Sequence, residues 1–151
     1  MDKAYFDLIC SIERLNKLVL DSIDTELGKM GLDDVSAIQA LLLYKIGNQT
    51  MPIGEISSRG YYLGTNISYN LKKLIKSGYI KQTEADYDKR SSIVELTEKG
   101  LDFCNSLKKV FLTHINTIKS EKIDANSILS NFRRLEMFFG RLTISGMKSF
   151  E

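Results

Sequence analysis

Apolar positions along the chain recur mostly with helical periods. Tyr5, Leu8, Ile12, Leu15, Val19, Ile23 and Leu27 follow one another at steps of three and four, predicting a long helix over about 4–29. Gly31 is a plausible stop. A second helix is predicted from Asp33 or Asp34, residue types that cap or favour a first turn, through Ala37 to Tyr44. Its apolar residues occupy nearly every side, so deep burial is expected, and Gly47-Asn48 ends it. Pro52 suits the first position of a short third helix over about 53–58. Gly60 and Gly64 bracket a turn, a fourth helix follows over about 64–77, and Gly78 closes it.

The period then changes. Residues 79–83 and 92–96 read as strands, and the polar stretch 85–91 joins them into a hairpin with a charged tip. Thr97 and Glu98 open another helix, to about 121, with Leu101, Cys104, Leu107, Phe111, Ile115 and Ile118 on one side. The last helix begins near Asp124 and carries Ile128, Phe132, Leu135, Phe139 and Leu142 as its stripe. The middle of the chain can form a compact lobe. The long first and last helices carry stripes that need something to cover them.

In the fourth helix, Ile67, Leu71 and Leu74 share one side and must face inward. The other side presents Thr65, Tyr69, Lys72, Lys73 and Lys76, with Asn66 and Ser68 flanking it near the helix start. Small hydrogen-bonding groups at the N-terminal end suit base edges, and lysines further along suit phosphates. A solvated face on an ordinary surface helix has the same composition. The order short helix, glycine turn, helix, charged hairpin favours a helix-turn-helix with a wing. In the hairpin tip Lys89 and Arg90 are candidates for a minor groove, with Asp88 placed to orient Arg90; an exposed hairpin with ordinary charges is the alternative.

Charge sharpens this picture. The chain of 151 residues has a formal net charge of +2, which alone says little. Residues 1–56 hold 5 basic and 9 acidic groups, 57–90 hold 7 and 3, and 91–151 hold 9 and 7. The positive excess is concentrated around the fourth helix and the hairpin, as a polyanion-facing module requires.

Asp88, Arg90, Leu96, Thr97 and Gly100 together resemble the wing-to-helix signature of the MarR family of bacterial regulators, roughly D-x-R, a short strand, then L-T-x-x-G. The resemblance extends over nearly the whole chain. Ala85 and Tyr87 depart from it, standing where many members carry a further acidic residue and an arginine. Segment 59–70 is similar to a subgroup controlling L,D-transpeptidase genes, which concern cell-wall crosslinking and osmotic stress.

The resemblance implies a mainly α fold with a small β-hairpin wing: a winged helix-turn-helix lobe over 32–97, and dimerisation helices over 1–31 and 98–151. It implies a homodimer on a pseudo-palindromic operator in double-stranded DNA. It also implies release of DNA by a small, often aromatic, molecule in a cleft for which Leu43 and Tyr44 are candidates. Some relatives sense oxidants through an early cysteine, which makes Cys10 a redox candidate beside its plainer reading as a small buried hydrophobe.

Other chemistry finds little footing. His114 is the only histidine, the ten glycines are dispersed, and the acidic residues lack metal-ligand spacing. Cys10 and Cys104 have no paired spacing. No enzyme, cofactor, metal or membrane association is expected. The start of the chain lacks a signal-peptide shape, so a cytoplasmic location is expected. The remaining alternative is a helical protein–protein adaptor of winged-helix shape without specific DNA binding; an adaptor has no need of the basic middle.

Overall fold

The computed structural model describes residues 2–58, 66–85 and 88–147, with side chains described for all of these except 57–58, 85, 88–91 and 144–147. Among the described residues six helices and three strands follow one another as α1 (Lys3–Lys29), α2 (Ala37–Ile46), β1 (Met51–Pro52), α3 (Ile53–Ser58), α4 (Ile67–Lys76), β2 (Ile80–Ala85), β3 (Asp88–Leu96), α5 (Glu98–Ser120) and α6 (Ala125–Met147). The chain divides into two compact units, 1–110 and 111–151.

The core of the first unit contains Ile23 and Leu27 of α1, Ala40, Leu42, Leu43 and Ile46 of α2, Ile56 of α3, Leu71 and Leu74 of α4, and Val94 of β3. Phe103 and Leu107 of α5 complete it. The apolar surround predicted for α2 is therefore filled, although Ile38 and Tyr44 stay exposed. The cap of α2 differs from expectation. Ser36 accepts from the Gln39 amide, and the Gln39 side chain accepts in return from the Ser36 amide, a capping box. Asp33 and Asp34 precede this cap. The Asp24 carboxylate on α1 accepts from the Ala37 N–H at 2.6 Å, so α1 satisfies a free amide at the start of α2.

The sheet has three strands in the order β1-β3-β2, all antiparallel. Pro52 is the last residue of β1, with α3 beginning immediately after it, and is thus not the first residue of the helix. Met51 pairs with Val94 and both are buried, which draws this segment onto the sheet. Proline is tolerated there because β1 is an edge strand. The hairpin strands are longer than their pattern indicated: β3 begins at Asp88, and the pairing with β2 is irregular at Glu84/Ala85.

One junction fixes the end of α4. Gly78 takes φ +79°, the Tyr79 N–H reaches the Leu74 carbonyl and the Gly78 N–H reaches that of Ile75, a Schellman stop. Thr97 then ties this stop to α5. Its hydroxyl donates to the Gly78 carbonyl at 2.6 Å and accepts from the Gly100 N–H at 3.2 Å, while its own N–H donates to the Tyr79 carbonyl at 3.1 Å. Lys99 Nζ donates to the Ser77 carbonyl at 2.8 Å. A Cβ on Gly100 would stand 2.3 Å from the Tyr79 carbonyl oxygen, closer than any side chain permits. The Leu96-Thr97-x-x-Gly100 spacing therefore has a mechanical meaning: burial, double hydrogen bonding and close approach in consecutive roles.

The Tyr79 ring completes the junction, edge-on to Phe103 at 5.5 Å and beneath Lys99 Nζ at 4.1 Å. Its hydroxyl donates to the Asp34 carboxylate at 3.0 and 3.1 Å. In the second unit, Asp124 accepts from the Asn126 and Ser127 amides and so caps α6, as its residue type predicts.

Gly100→Ala is expected to destabilise the fold by about 3 kcal/mol, the upper range for overpacking, because the clash is with backbone. Urea unfolding checks this, and a loss below about 0.5 kcal/mol would show that the junction yields easily.

Candidate nucleic-acid interface

Helix α4 is short and sharply two-sided. Ile67, Asn70, Leu71 and Leu74 are buried. Asn66, Ser68, Tyr69, Lys72, Lys73 and Lys76 are exposed. Tyr69 is 64% exposed, so its ring is presented outward and serves no packing purpose within the lobe. Asn66 stands at the start of α4, is exposed, and its side chain makes no capping bond among the described residues. Lys72, Lys73 and Lys76 make no ion pair among the described residues.

Electrostatically the hairpin differs from the helix. Lys81 on β2 pairs with Glu95 on β3 at 2.6 Å, directly across the ladder. That bond, with help from the Thr50 hydroxyl, holds the Glu95 carboxyl below the usual carboxylate range. Lys81 therefore contributes little net charge to the face, and among the described side chains of α4 and the hairpin the uncompensated cations are those of α4.

Of the other residues expected in the site, Thr65 lies outside the described residues. Asp88, Lys89 and Arg90 belong to β3 by backbone, with side chains outside the described set, and so does any Asp88–Arg90 contact. Leu43 is wholly enclosed in the lobe core, and Tyr44 is 42% exposed. Neither borders the cavity of about 270 Å³ lined by Asp24, Leu27, Gly28, Leu32, Asp33, Val35, Ser36 and Lys73. Cys10 is half-buried in α1. Cys104 is half-buried too, and burial pushes its thiol up to about 11, which keeps it a protonated, weakly reactive group near neutral pH.

Two residues that pattern reasoning passed over stand behind this face. Gln39 on α2 is 2% exposed and Asn70 on α4 is 8% exposed, and Gln39 Nε2 donates to Asn70 Oδ1 at 3.0 Å. The available signal was Asn70 itself, an amide between Ile67 and Leu71 on the inward side.

A family profile described as a winged helix DNA-binding domain matches residues 35–100. The exopolysaccharide II synthesis transcriptional activator ExpG of Rhizobium meliloti is 32% identical over 147 residues, covering 95% of this chain and 76% of that protein. AbsC, a MarR family transcriptional regulator from Streptomyces coelicolor, superposes with a TM-score of 0.70 at 12% identity, over 95% of this chain and 97% of that one. This chain belongs to the family of transcriptional regulators that includes ExpG, and its fold is that of MarR regulators. Two further solved structures share this fold. The transcriptional regulator BldR from Sulfolobus solfataricus has a TM-score of 0.74 at 20% identity, over 91% of this chain and 99% of that one. Streptococcus pneumoniae FabT, solved in complex with DNA, has a TM-score of 0.67 at 19% identity, over 92% and 97%. The chain is thus a transcriptional regulator with a winged-helix DNA-binding domain, not an enzyme. No helix among the described residues is long and apolar enough to cross a membrane.

Burial first, then the hydrogen bond to Asp34 and its charge, push the Tyr79 hydroxyl up to about 12 from its ordinary value of 10. A raised folded-state pKa means that the folded protein keeps a proton the unfolded chain has lost. Stability from this group is complete below pH 10 and declines towards pH 12. Between pH 9 and 11, wild type should lose more unfolding free energy than Tyr79→Phe. Equal losses would show that Tyr79 is not held in its neutral form.

Proposed function

We propose that this chain is a MarR-family regulator, a homodimer that reads a pseudo-palindromic operator with Asn66, Ser68 and Tyr69 while Lys72 and Lys73 hold phosphates. The supporting observation is the two-sidedness of α4: its outward groups are exposed and uncompensated while Ile67, Asn70, Leu71 and Leu74 anchor it. From its place in the sequence Thr65 is assigned to the reading set, and Lys89 and Arg90, supported by Asp88, to the minor-groove contact of the wing. FabT was solved with DNA bound, which supports DNA as the partner of this fold.

The homodimer rests on apolar helix surface within each unit. In the first, α1 exposes Tyr5, Phe6, Leu15, Leu18 and Val19. In the second, α6 exposes Ile128, Leu129, Met137, Phe138 and Leu142. Surface of this kind calls for a partner, and a second copy is the partner that a two-fold operator needs.

Control by a small molecule enters the proposal through α4. The cavity of about 270 Å³ has Lys73 in its wall together with Asp24 and Ser36, so an occupant would touch the recognition helix directly. Two gene classes follow from the likenesses: cell-wall crosslinking from segment 59–70, and exopolysaccharide synthesis from ExpG. Sequencing the genomic fragments that the protein recovers tells them apart.

Asn66→Ala and Tyr69→Ala should weaken binding to a selected operator far more than binding to a scrambled duplex. Lys72→Ala should weaken both and reduce the salt slope by about 1. Gel shifts at several salt concentrations measure these effects, and wild-type behaviour in all three variants would remove α4 as the reading face. Sedimentation at micromolar concentration should give twice the 17.2 kDa mass of the chain; a single-chain mass would remove the dimer.

A further inference from the structure

We propose that a directed run of hydrogen bonds through the two enclosed amides, Gln39 and Asn70, positions Asn66, the residue at the N-terminal cap of the reading helix, and thereby sets sequence discrimination. The inference rests on the reading of α4 as the operator-contacting face. The run starts at the Ser36 N–H, which donates to Gln39 Oε1 at 3.1 Å. Gln39 Nε2 donates to Asn70 Oδ1 at 3.0 Å, and Asn70 Nδ2 donates to the Asn66 carbonyl at 3.0 Å. At its root, the Ser36 hydroxyl accepts from the Gln39 N–H, and Asp24 of α1 accepts from the neighbouring Ala37 N–H.

The direction of the run is forced. A backbone N–H can only donate, so the Ser36 amide obliges Gln39 to turn its oxygen toward it. The Gln39 nitrogen then faces Asn70, which must answer with oxygen, and the Asn70 nitrogen is left for the Asn66 carbonyl. Among the described residues, no enclosed side-chain nitrogen or oxygen lacks a partner, so the run is complete. Apolar side chains of similar size would fill this space equally well, but they would not fix rotation or register. The hydrogen bond reaches the Asn66 backbone, and Asn66, Ser68 and Tyr69 project from that same first turn. Gln39 and Asn70 are therefore positioning residues: they touch no DNA and act through where Asn66 stands.

The test uses near-isosteric variants that each break one link. Asn70→Asp keeps an acceptor for Gln39 but loses the donor to the Asn66 carbonyl. Gln39→Glu keeps the acceptor for the Ser36 N–H but loses the donor to Asn70. The full chain is assayed by fluorescence anisotropy below each variant's melting midpoint. One probe is a duplex selected on the wild-type protein from a randomised pool, and the other is its scrambled counterpart.

Affinity for the selected duplex should fall by about tenfold. Affinity for the scrambled duplex should fall by much less, since each variant adds at most one negative charge and removes no phosphate contact. If Asn70→Asp does not fold, Gln39→Glu carries the same comparison. A folded variant with the wild-type ratio between the two duplexes overturns the proposal, and so does an equal loss on both. Parallel Asn66→Ala and Tyr69→Ala measurements separate the two levels. If they abolish discrimination while the amide variants do not, only the positioning role is wrong. If they too leave it intact, or if the pool yields no preferred sequence, the reading face is wrong and the positioning role falls with it.

Discussion

The close approach of Gly100 to the Tyr79 carbonyl is the constraint on which the arrangement of this lobe depends. It brings the end of α4, the start of β2 and the start of α5 to one point, where Thr97 bonds to all three. A side chain there would have to push α5 away from the backbone that follows α4. Because α4 has only ten residues, its C-terminal anchor governs the direction of the whole helix. The Tyr79 ring, clasped by Phe103, Lys99 and Asp34, makes the anchor resist rotation as well as separation.

The opposite end of α4 is held by different means. Aliphatic packing by Ile67, Leu71 and Leu74 is strong but non-directional. Direction comes from the amides of Gln39 and Asn70, which have only one way of satisfying the Ser36 N–H. A helix pinned by a glycine contact at one end and a polar run at the other can present Asn66, Tyr69 and the lysines in a fixed frame. The cations then act without internal neutralisation, unlike Lys81, whose charge is spent on Glu95.

Much of this was legible in the residue pattern. The periods of α1, α4, α5 and α6 were clear because each helix has a strong stripe and a recognisable stop or cap. The inward side of α4 followed from three aliphatic residues. What escaped notice was short, polar or degenerate. Strand β1 has two residues, too few for any period, and Pro52 pointed toward a helix start. Three capping types stand close together at Asp33, Asp34 and Ser36. Only the pairing of Ser36 with Gln39 three residues on decides among them, and Asp34 is instead engaged by Tyr79. Gln39 lay unremarked inside an otherwise apolar helix because its partner is 31 residues away. The L-T-x-x-G spacing was recognised as a likeness, but its cause needed the Tyr79 carbonyl to be placed.

The brevity of β1 and its proline bear on how the lobe behaves in company. β1 is one margin of the sheet, and an open margin invites strands from other molecules to add themselves through main-chain bonding. A margin only two residues long, one of them lacking an amide hydrogen, offers almost no ladder to extend. Sheet-to-sheet stacking is thereby discouraged on that side even when the protein is crowded along a polymer, where neighbouring copies sit at high local concentration.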